Sequence, residues 1–208
     1  MQLCVNNQNC IGECSMGKIL VFIFEGMTDY EITFITHLLG ADAGNEIFPI
    51  AYEDIIIKSR SGLLYKPQKL VSDALSEEAD GLIIPGGWYG DTRHELLQLI
   101  NNLDMKKKLL AGICGSGTVF LAKSGILKNV KYTTPITSWT QRHIEVFGEK
   151  DPFPRENFVL DRVVRYENVI TAQGIAFIDF AVEICDWFDL FQSQEDKEKF
   201  IQDIKGFK

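Results

Sequence analysis

Short apolar segments of strand length alternate with longer segments of helical periodicity along most of this 208-residue chain. Residues 18–24 and 109–113 are continuous apolar runs, as in strands that are buried on both faces, and the stretch "DGLIIPGG" predicts another buried strand that stops at Pro85. Between such runs, apolar residues recur at helical spacing. This alternation predicts one doubly wound α/β domain, in which helices cover both faces of a mostly parallel sheet.

Local signals predict where several elements begin and end. Gly40 is predicted to end the first helix as its C-cap, and Asp91 to begin a later helix as its N-cap. Residues 55–67 predict two short strands about a Ser-Gly turn. A polar terminal helix is predicted after residue 193, and its expected docking residues are Phe200, Ile201 and Ile204.

The composition excludes several classes of protein. The chain has 21 basic and 29 acidic residues and a formal net charge of −8, without a basic cluster, which argues against a nucleic-acid partner. No apolar stretch approaches the ~20 residues of a membrane span, and neither a signal peptide nor a membrane partner is predicted. We therefore expect a soluble, cytoplasmic protein.

The five cysteines do not predict a disulfide framework, because their number is odd and no secretion signal accompanies them. Cys4, Cys10 and Cys14 lie in a segment without hydrophobic periodicity, and a metal site there is conceivable but disfavoured because no CxxC pair occurs. Residues 1–17 are interpreted as an N-terminal extension before a single domain over residues 18–208. No metal and no cofactor are expected.

In doubly wound folds, ligands bind outside the carboxyl ends of the strands. The loops that follow the predicted strands are residues 25–31, 85–91, 114–117 and 173–177, and all four are expected to meet at one edge of the sheet. The sequence therefore predicts a site at this edge.

Cys114 stands directly after an apolar strand and before a helix, between Gly112 and Gly115. A tight strand-to-helix turn exposes its central side chain and needs small neighbours, and a helix N-terminus is expected to lower the pKa of a thiol. Free cysteine is also among the most buried residue types, so a small core residue is the alternative. The small residues on both sides favour an exposed, reactive thiol.

Other residues at the same edge are candidates with plainer alternatives. Glu31 could hold a proton near the thiol, or be a solvated helix residue like Asp29. Backbone N–H groups of Gly86, Gly87 and Gly115 could form an oxyanion hole, or belong to a turn that binds nothing. Two aromatic residues follow the glycine pair and could wall a pocket or pack against a partner subunit: Trp88 and Tyr89.

Four motifs follow one another along residues 18–188: "KILVFIFEGMTDYE", "ADGLIIPGGWYGD", "AGICGSGTVFLAKSGIL" and "VITAQGIAFIDFAVEI". In this combination the chain resembles the ThiJ/PfpI superfamily, which is related to the class I glutamine amidotransferases. The resemblance implies a flavodoxin-like, three-layer α/β sandwich that forms a homodimer or higher homo-oligomer. It also implies that Cys114 is the elbow nucleophile and Glu31 its acidic partner, with backbone amides from Gly86 and Gly87.

The chain departs from the family pattern at Pro135 in "KYTTPIT", where many members have a histidine. His143 is the nearby candidate base, but we expect it to be a solvated residue of an amphipathic helix. Without a histidine base, peptide hydrolysis is disfavoured. The identity of the substrate is expected to depend on a pocket shaped by Trp88, Tyr89 and Trp139.

Three functions follow from these observations. The first is a cysteine-dependent enzyme, of amidase, hydrolase or glyoxalase type, that acts on a small molecule. The second is a non-enzymatic stress or redox-sensing protein that uses the same cysteine. The third, a ligand-sensing module, is disfavoured because the sequence contains no helix-turn-helix segment.

Overall fold

The computed structural model describes residues 17–206, and nine strands lie in that part of the chain. In chain order they are β1 Lys18–Phe22, β2 Glu46–Ala51, β3 Ile57–Lys58, β4 Leu64–Tyr65, β5 Lys69–Leu70, β6 Gly81–Ile84, β7 Leu109–Ile113, β8 Val163–Tyr166 and β9 Val169–Ala172. Seven strands form one sheet in the order β5-β2-β1-β6-β7-β9-β8, which is parallel except for the β8–β9 pair. β3 and β4 form a separate antiparallel ribbon, as predicted.

Seven α-helices connect or follow the strands in the described residues. They are α1 Tyr30–His37, α2 Val71–Ala74, α3 His94–Met105, α4 Cys114–Ser124, α5 Gln141–Phe147, α6 Phe177–Trp187 and α7 Gln194–Lys205. α1 packs on α6, whereas α3 packs on α2 and α4. Because crossovers are right-handed and the strand order reverses between β1 and β6, these two helix groups cover opposite faces of the sheet. The predicted three-layer α/β sandwich is confirmed.

The central strands are buried on both faces, as their continuous apolar sequences predicted. Every residue of β6 and β7 is buried, and the core continues into the apolar faces of α3 and α6. Helix α7 docks as predicted, since Phe200 is buried while Ile201 and Ile204 pack against the core.

Two predicted helix ends are wrong. α1 does not end at Gly40 but continues into a π-helical turn over Leu38–Asp42, where Gly40 packs closely against the Ile47 side chain. Asp91 does not cap α3, whose N-cap is Arg93. The Asp91 carboxylate instead accepts a hydrogen bond from Arg93 Nε at 2.9 Å, which draws it away from the helix amides.

The predictions about Cys4, Cys10 and Cys14 fall outside the described residues. Cys185 is a buried free thiol on α6, and Cys114 is a half-buried free thiol. Among residues 17–206, no helix combines the length and apolar character that a membrane crossing requires.

Candidate active site

The four loops that follow β1, β6, β7 and β9 meet at one edge of the sheet, as predicted. Cys114 begins α4, and Glu31 lies in the first turn of α1. A Cβ atom built on Gly174 would lie 2.8 Å from Cys114 Sγ and 3.0 Å from Glu31 Oε1. A Cβ atom on Gly86 would lie 2.9 Å from the same sulfur and 2.7 Å from Glu31 Oε2. The thiol and the carboxyl group therefore share one small space between two glycines.

Cys114 has a strained backbone conformation, with a φ angle of +62°. This left-handed region is costly for a residue with a side chain, and such strain clusters at functional sites. Gly117 makes the tight turn possible, because a Cβ atom there would lie 2.5 Å from the Ile84 carbonyl oxygen. The conformation is that of a strand-to-helix elbow rather than of a relaxed core cysteine, but the thiol is half-buried and not exposed as predicted.

Glu31 is buried, with 1% of its surface exposed, so the alternative of a solvated helix residue is wrong. The Gly86 N–H donates a hydrogen bond to Oε2 at 2.6 Å, while Oε1 is buried without a hydrogen bond of ordinary geometry and faces the thiol. Burial raises the pKa of Glu31 to about 7, against the opposing effect of its hydrogen bonds to Gly86 and Cys114. Because Glu31 occupies the Gly86 amide, that amide does not contribute to the predicted oxyanion hole.

The Cys114 thiol is neutral near pH 7, contrary to the lowered pKa that was expected. Burial, followed by the negative charge of Glu31, raises the pKa of Cys114 to about 12. The Gly115 N–H and the positive charge of Arg60 lower it only in part. Desolvation and the neighbouring carboxylate thus outweigh the helix N-terminus.

A cavity of about 230 Å³ opens above the thiol. Its lining residues are Thr28, Arg60, Gly87, Trp88, Cys114, Gly115, Pro135, Ile136, His143 and Phe147. Trp88 lines it as predicted, whereas Tyr89 and Trp139 do not. Tyr89 instead stacks on Phe24, with ring centroids 4.8 Å apart, and Trp139 Nε1 donates to the Gly148 carbonyl oxygen at 3.1 Å.

The Gly87 and Gly115 backbones remain as candidates for the oxyanion hole. Both residues line the cavity, and the Gly87 N–H makes no hydrogen bond to the described residues. The Gly115 N–H interacts with the Cys114 sulfur. Backbone N–H groups of residues that line the cavity beside the thiol are the groups that could stabilise a negative oxygen there.

His143 also lines the cavity, and it is half-buried rather than solvated. The Thr140 N–H donates to His143 Nδ1 at 3.0 Å and completes a capping box at the start of α5. The imidazole stacks on Trp88 and on Trp139, with centroid distances of 5.4 Å to each ring. These contacts give His143 a structural role.

The pKa of His143 is lowered by burial and by the positive charges of Arg142 and Arg155, so its imidazole is neutral at pH 7. Pro135, at which the sequence was predicted to depart from the family pattern, also lines the cavity. In residues 17–206, no three His, Cys, Asp or Glu side chains are grouped to hold a metal ion.

Sequence reasoning missed two residues at this site. Arg60 reaches the cavity from the turn between β3 and β4, and Asp29 is buried beneath that turn instead of solvated. Asp29 accepts hydrogen bonds from Ser59 Oγ at 2.8 Å, from Ser61 Oγ and from Tyr65. The Ser-Gly turn in the sequence predicted the two strands of the ribbon, but it did not predict which part of the fold the ribbon packs against.

Comparison with known proteins gives a consistent result. The model of the DJ-1/PfpI family matches residues 17–186. Two Bacillus subtilis proteins, named uncharacterized protease YoaZ and uncharacterized protease YdeA, are 27% and 25% identical to this chain. The alignment with YoaZ covers 84% of each chain, and that with YdeA covers 89% of this chain and 90% of YdeA.

Solved structures share the fold. The DJ-1 superfamily protein Atu0886 from Agrobacterium tumefaciens superimposes with a TM-score of 0.73 at 26% identity, over 89% of this chain and 97% of that one. Oxidized DJ-1 from Toxoplasma gondii gives a TM-score of 0.70 at 24% identity, over 88% and 95% of the two chains.

Proposed function

This chain belongs to the DJ-1/PfpI family, and from that premise we propose that it is a cysteine-dependent enzyme that acts on a small carbonyl compound. Cys114 is the nucleophile, and Glu31 takes and returns its proton. One observation carries the proposal: a strained thiol that lines a cavity lies directly beside a buried carboxyl group with a pKa of about 7.

The cavity and its groups favour a small aldehyde over a peptide. A space of about 230 Å³ holds a molecule of a few carbon atoms. Peptide hydrolysis needs a group that protonates an amine leaving group, which an imidazole supplies in most cysteine hydrolases. Pro135 occupies the family position of that imidazole, and His143 Nδ1 is engaged in the cap of α5. Addition to an aldehyde requires no leaving group.

The proposed reaction starts with the neutral thiol and the Glu31 carboxylate. The proton of Cys114 moves to Glu31 while the sulfur bonds to the carbonyl carbon, and the electrons of the C=O π bond move to the oxygen. The Gly87 and Gly115 N–H groups stabilise that oxygen until it takes up the proton held by Glu31. The product of this step is a hemithioacetal on Cys114.

For a 2-oxoaldehyde, the same carboxyl group completes the reaction without an external oxidant. Glu31, ionised again after the first step, removes the C1 proton and returns it to C2, while the hydroxyl proton passes from the C1 oxygen to the C2 oxygen. C1 is thereby oxidised and C2 reduced, which leaves a thioester of a 2-hydroxy acid. Water cleaves the thioester, releases the acid and restores the thiol. Methylglyoxal would thus give lactate.

The alternative is a redox-sensing protein, and it requires a cysteine that is largely thiolate near neutral pH. Burial and Glu31 disfavour that form in Cys114. Addition of the thiol to an electrophile, with Glu31 as the base that removes the thiol proton, fits this site better than oxidation of a thiolate.

The test is turnover of methylglyoxal to lactate by the wild type and by Cys114→Ser, Glu31→Gln and Cys185→Ala. We expect both site variants to lose at least about a hundredfold in kcat/KM and Cys185→Ala to lose none. The wild-type kcat/KM should rise with pH through about 7, as Glu31 ionises.

Turnover that survives Cys114→Ser, or absence of turnover on any 2-oxoaldehyde, would contradict the enzyme proposal. Mass spectrometry of the Cys114 peptide after peroxide treatment tests the alternative. Fast conversion to a sulfinate without turnover would support the redox sensor.

A further inference from the structure

Arg60 presents a free guanidinium to the cavity above Cys114. Four other arginines form ion pairs, each with a guanidinium nitrogen within 3 Å of a carboxylate oxygen: Arg93, Arg155, Arg162 and Arg165. In residues 17–206, no carboxylate lies at ion-pair distance from Arg60, although the chain carries more acidic than basic residues. An unpaired guanidinium in this position is suited to an anion from solution.

The β3–β4 ribbon holds Arg60 in place. Its backbone N–H donates to the Met27 carbonyl oxygen at 2.9 Å, and the Gly26 N–H donates to the Lys58 carbonyl oxygen at 2.8 Å. The residues on either side of Arg60 are Ser59 and Ser61, whose hydroxyl groups both turn to Asp29. Asp29 is thereby satisfied by hydroxyl donors, and Arg60 faces the cavity.

The cavity has one charged lining residue near pH 7. His143 is neutral there, and the other lining residues are uncharged, since the Cys114 thiol keeps its proton. Glu31 lies buried below the thiol rather than on the cavity wall. One positive charge at the wall of an otherwise uncharged space balances one negative charge of a ligand.

We propose that Arg60 binds a carboxylate of the substrate, so that the carbonyl compound that reacts at Cys114 is a small oxo acid. This inference rests on the proposed function. The planar guanidinium matches the two oxygens of a carboxylate. A phosphate dianion would keep an unbalanced charge in the cavity, close to Glu31.

Two thiol reagents that differ by one charge test Arg60 without turnover. Iodoacetate and iodoacetamide alkylate Cys114 by the same displacement of iodide, and only iodoacetate carries a carboxylate. The ratio of their rates at the Cys114 peptide is measured at pH 8 in the wild type, Arg60→Gln and Arg142→Gln. A change in thiolate fraction affects both reagents equally and cancels in the ratio.

Arg142 provides the matched control, because its loss changes the net charge equally and its guanidinium stacks on Trp88 at 4.1 Å without lining the cavity. We expect the iodoacetate/iodoacetamide ratio to fall about five- to tenfold in Arg60→Gln and to stay unchanged in Arg142→Gln. Added salt should lower the wild-type ratio. An equal ratio in the wild type and Arg60→Gln, or an equal fall in both variants, would overturn the proposal.

A second measurement joins Arg60 to the substrate. The wild type should prefer 4,5-dioxopentanoate to its methyl ester by about tenfold or more in kcat/KM, and Arg60→Gln should remove that preference. Loss of turnover on both compounds equally would contradict a carboxylate-binding role. If neither compound reacts in the wild type, the proposed function fails, and the alkylation ratio still decides the role of Arg60.

Discussion

Cys114 and Glu31 lie side by side in a space too small for a third side chain. Their pKa values have opposite consequences near neutral pH: the thiol keeps its proton, while the carboxyl group is about half ionised. A group whose pKa is close to the working pH is the most effective general base or acid, because it can both accept and release a proton at that pH. In the proposed reaction, Glu31 is therefore the base that accepts the thiol proton.

Substitution of His143 distinguishes a structural from a catalytic imidazole. Glutamine at the third helical position also completes a capping box, so His143→Gln should keep kcat/KM within about threefold of the wild type. His143→Ala loses the cap and should lower the free energy of unfolding by about 1 kcal/mol. Steady-state kinetics and thermal unfolding measure both effects. A loss above about a hundredfold in His143→Gln would identify His143 as the base.

At the scale of elements, Asp29 attaches the β3–β4 ribbon to the start of α1 through hydrogen bonds from Ser59 and Ser61. Burial opposes ionisation of Asp29, but hydrogen bonds from Ser61 and Ser59 prevail and hold its pKa below the usual value. The ionised carboxylate thus stabilises the fold above pH 3.8, and this contribution is lost as the pH falls through the lowered pKa.

Asp29→Asn should weaken the attachment of the ribbon. We expect the free energy of unfolding to fall by about 2 kcal/mol at pH 7, with a smaller difference below pH 3.8. The iodoacetate/iodoacetamide ratio at Cys114 should also fall, because Arg60 loses its fixed position. Asp54→Asn, which removes an exposed partner of Lys66, is the control and should change stability by less than about 0.5 kcal/mol. Equal behaviour of the two variants would contradict the anchoring role.

The elements themselves followed from the sequence to different degrees. The apolar runs of β1, β6 and β7 and the rule of strand ends predicted that Cys114 and Glu31 meet. No periodic pattern signals that a ribbon of two-residue strands docks over the end of β1. The position of Arg60 depends on backbone hydrogen bonds to Gly26 and Met27, which form only in the folded chain.

The hydrogen bond from the Gly86 N–H to Glu31 could not be predicted from the sequence either. A glycine pair after a strand offers two amides, and the sequence does not show which one a buried carboxylate will occupy. The prediction of a lowered pKa for Cys114 was wrong for a related reason. The sequence shows that Cys114 begins a helix, but the desolvation of its thiol depends on the residues of the whole site. The homodimer and the cytoplasmic location stay predictions.

At the scale of the whole molecule, Glu31 makes stability depend on pH. Its pKa rises from 4.5 in the unfolded chain to about 7 in the fold, so folding binds a proton between these values. Stability is therefore highest below pH 4.5, as far as Glu31 is concerned, and declines as the pH rises to about 7.

Glu31→Gln should accordingly be more stable than the wild type at pH 8, by about 3 kcal/mol at most, because the amide can keep the Gly86 hydrogen bond without a charge. The difference should vanish at pH 4, as measured by urea unfolding. Glu53→Gln, at an exposed partner of Arg93, should stay within about 0.5 kcal/mol of the wild type. A less stable Glu31→Gln at pH 8 would contradict the raised pKa.

The β3–β4 ribbon shares no strand pairing with the seven-stranded sheet. Its length and the residue at its tip can therefore vary over generations while the sheet that holds the thiol is unaltered. In such an arrangement, substitutions confined to the ribbon can change the charge and shape of the cavity wall. Insertions between β2 and β5 would then change the cavity wall without changing the backbone that holds Cys114.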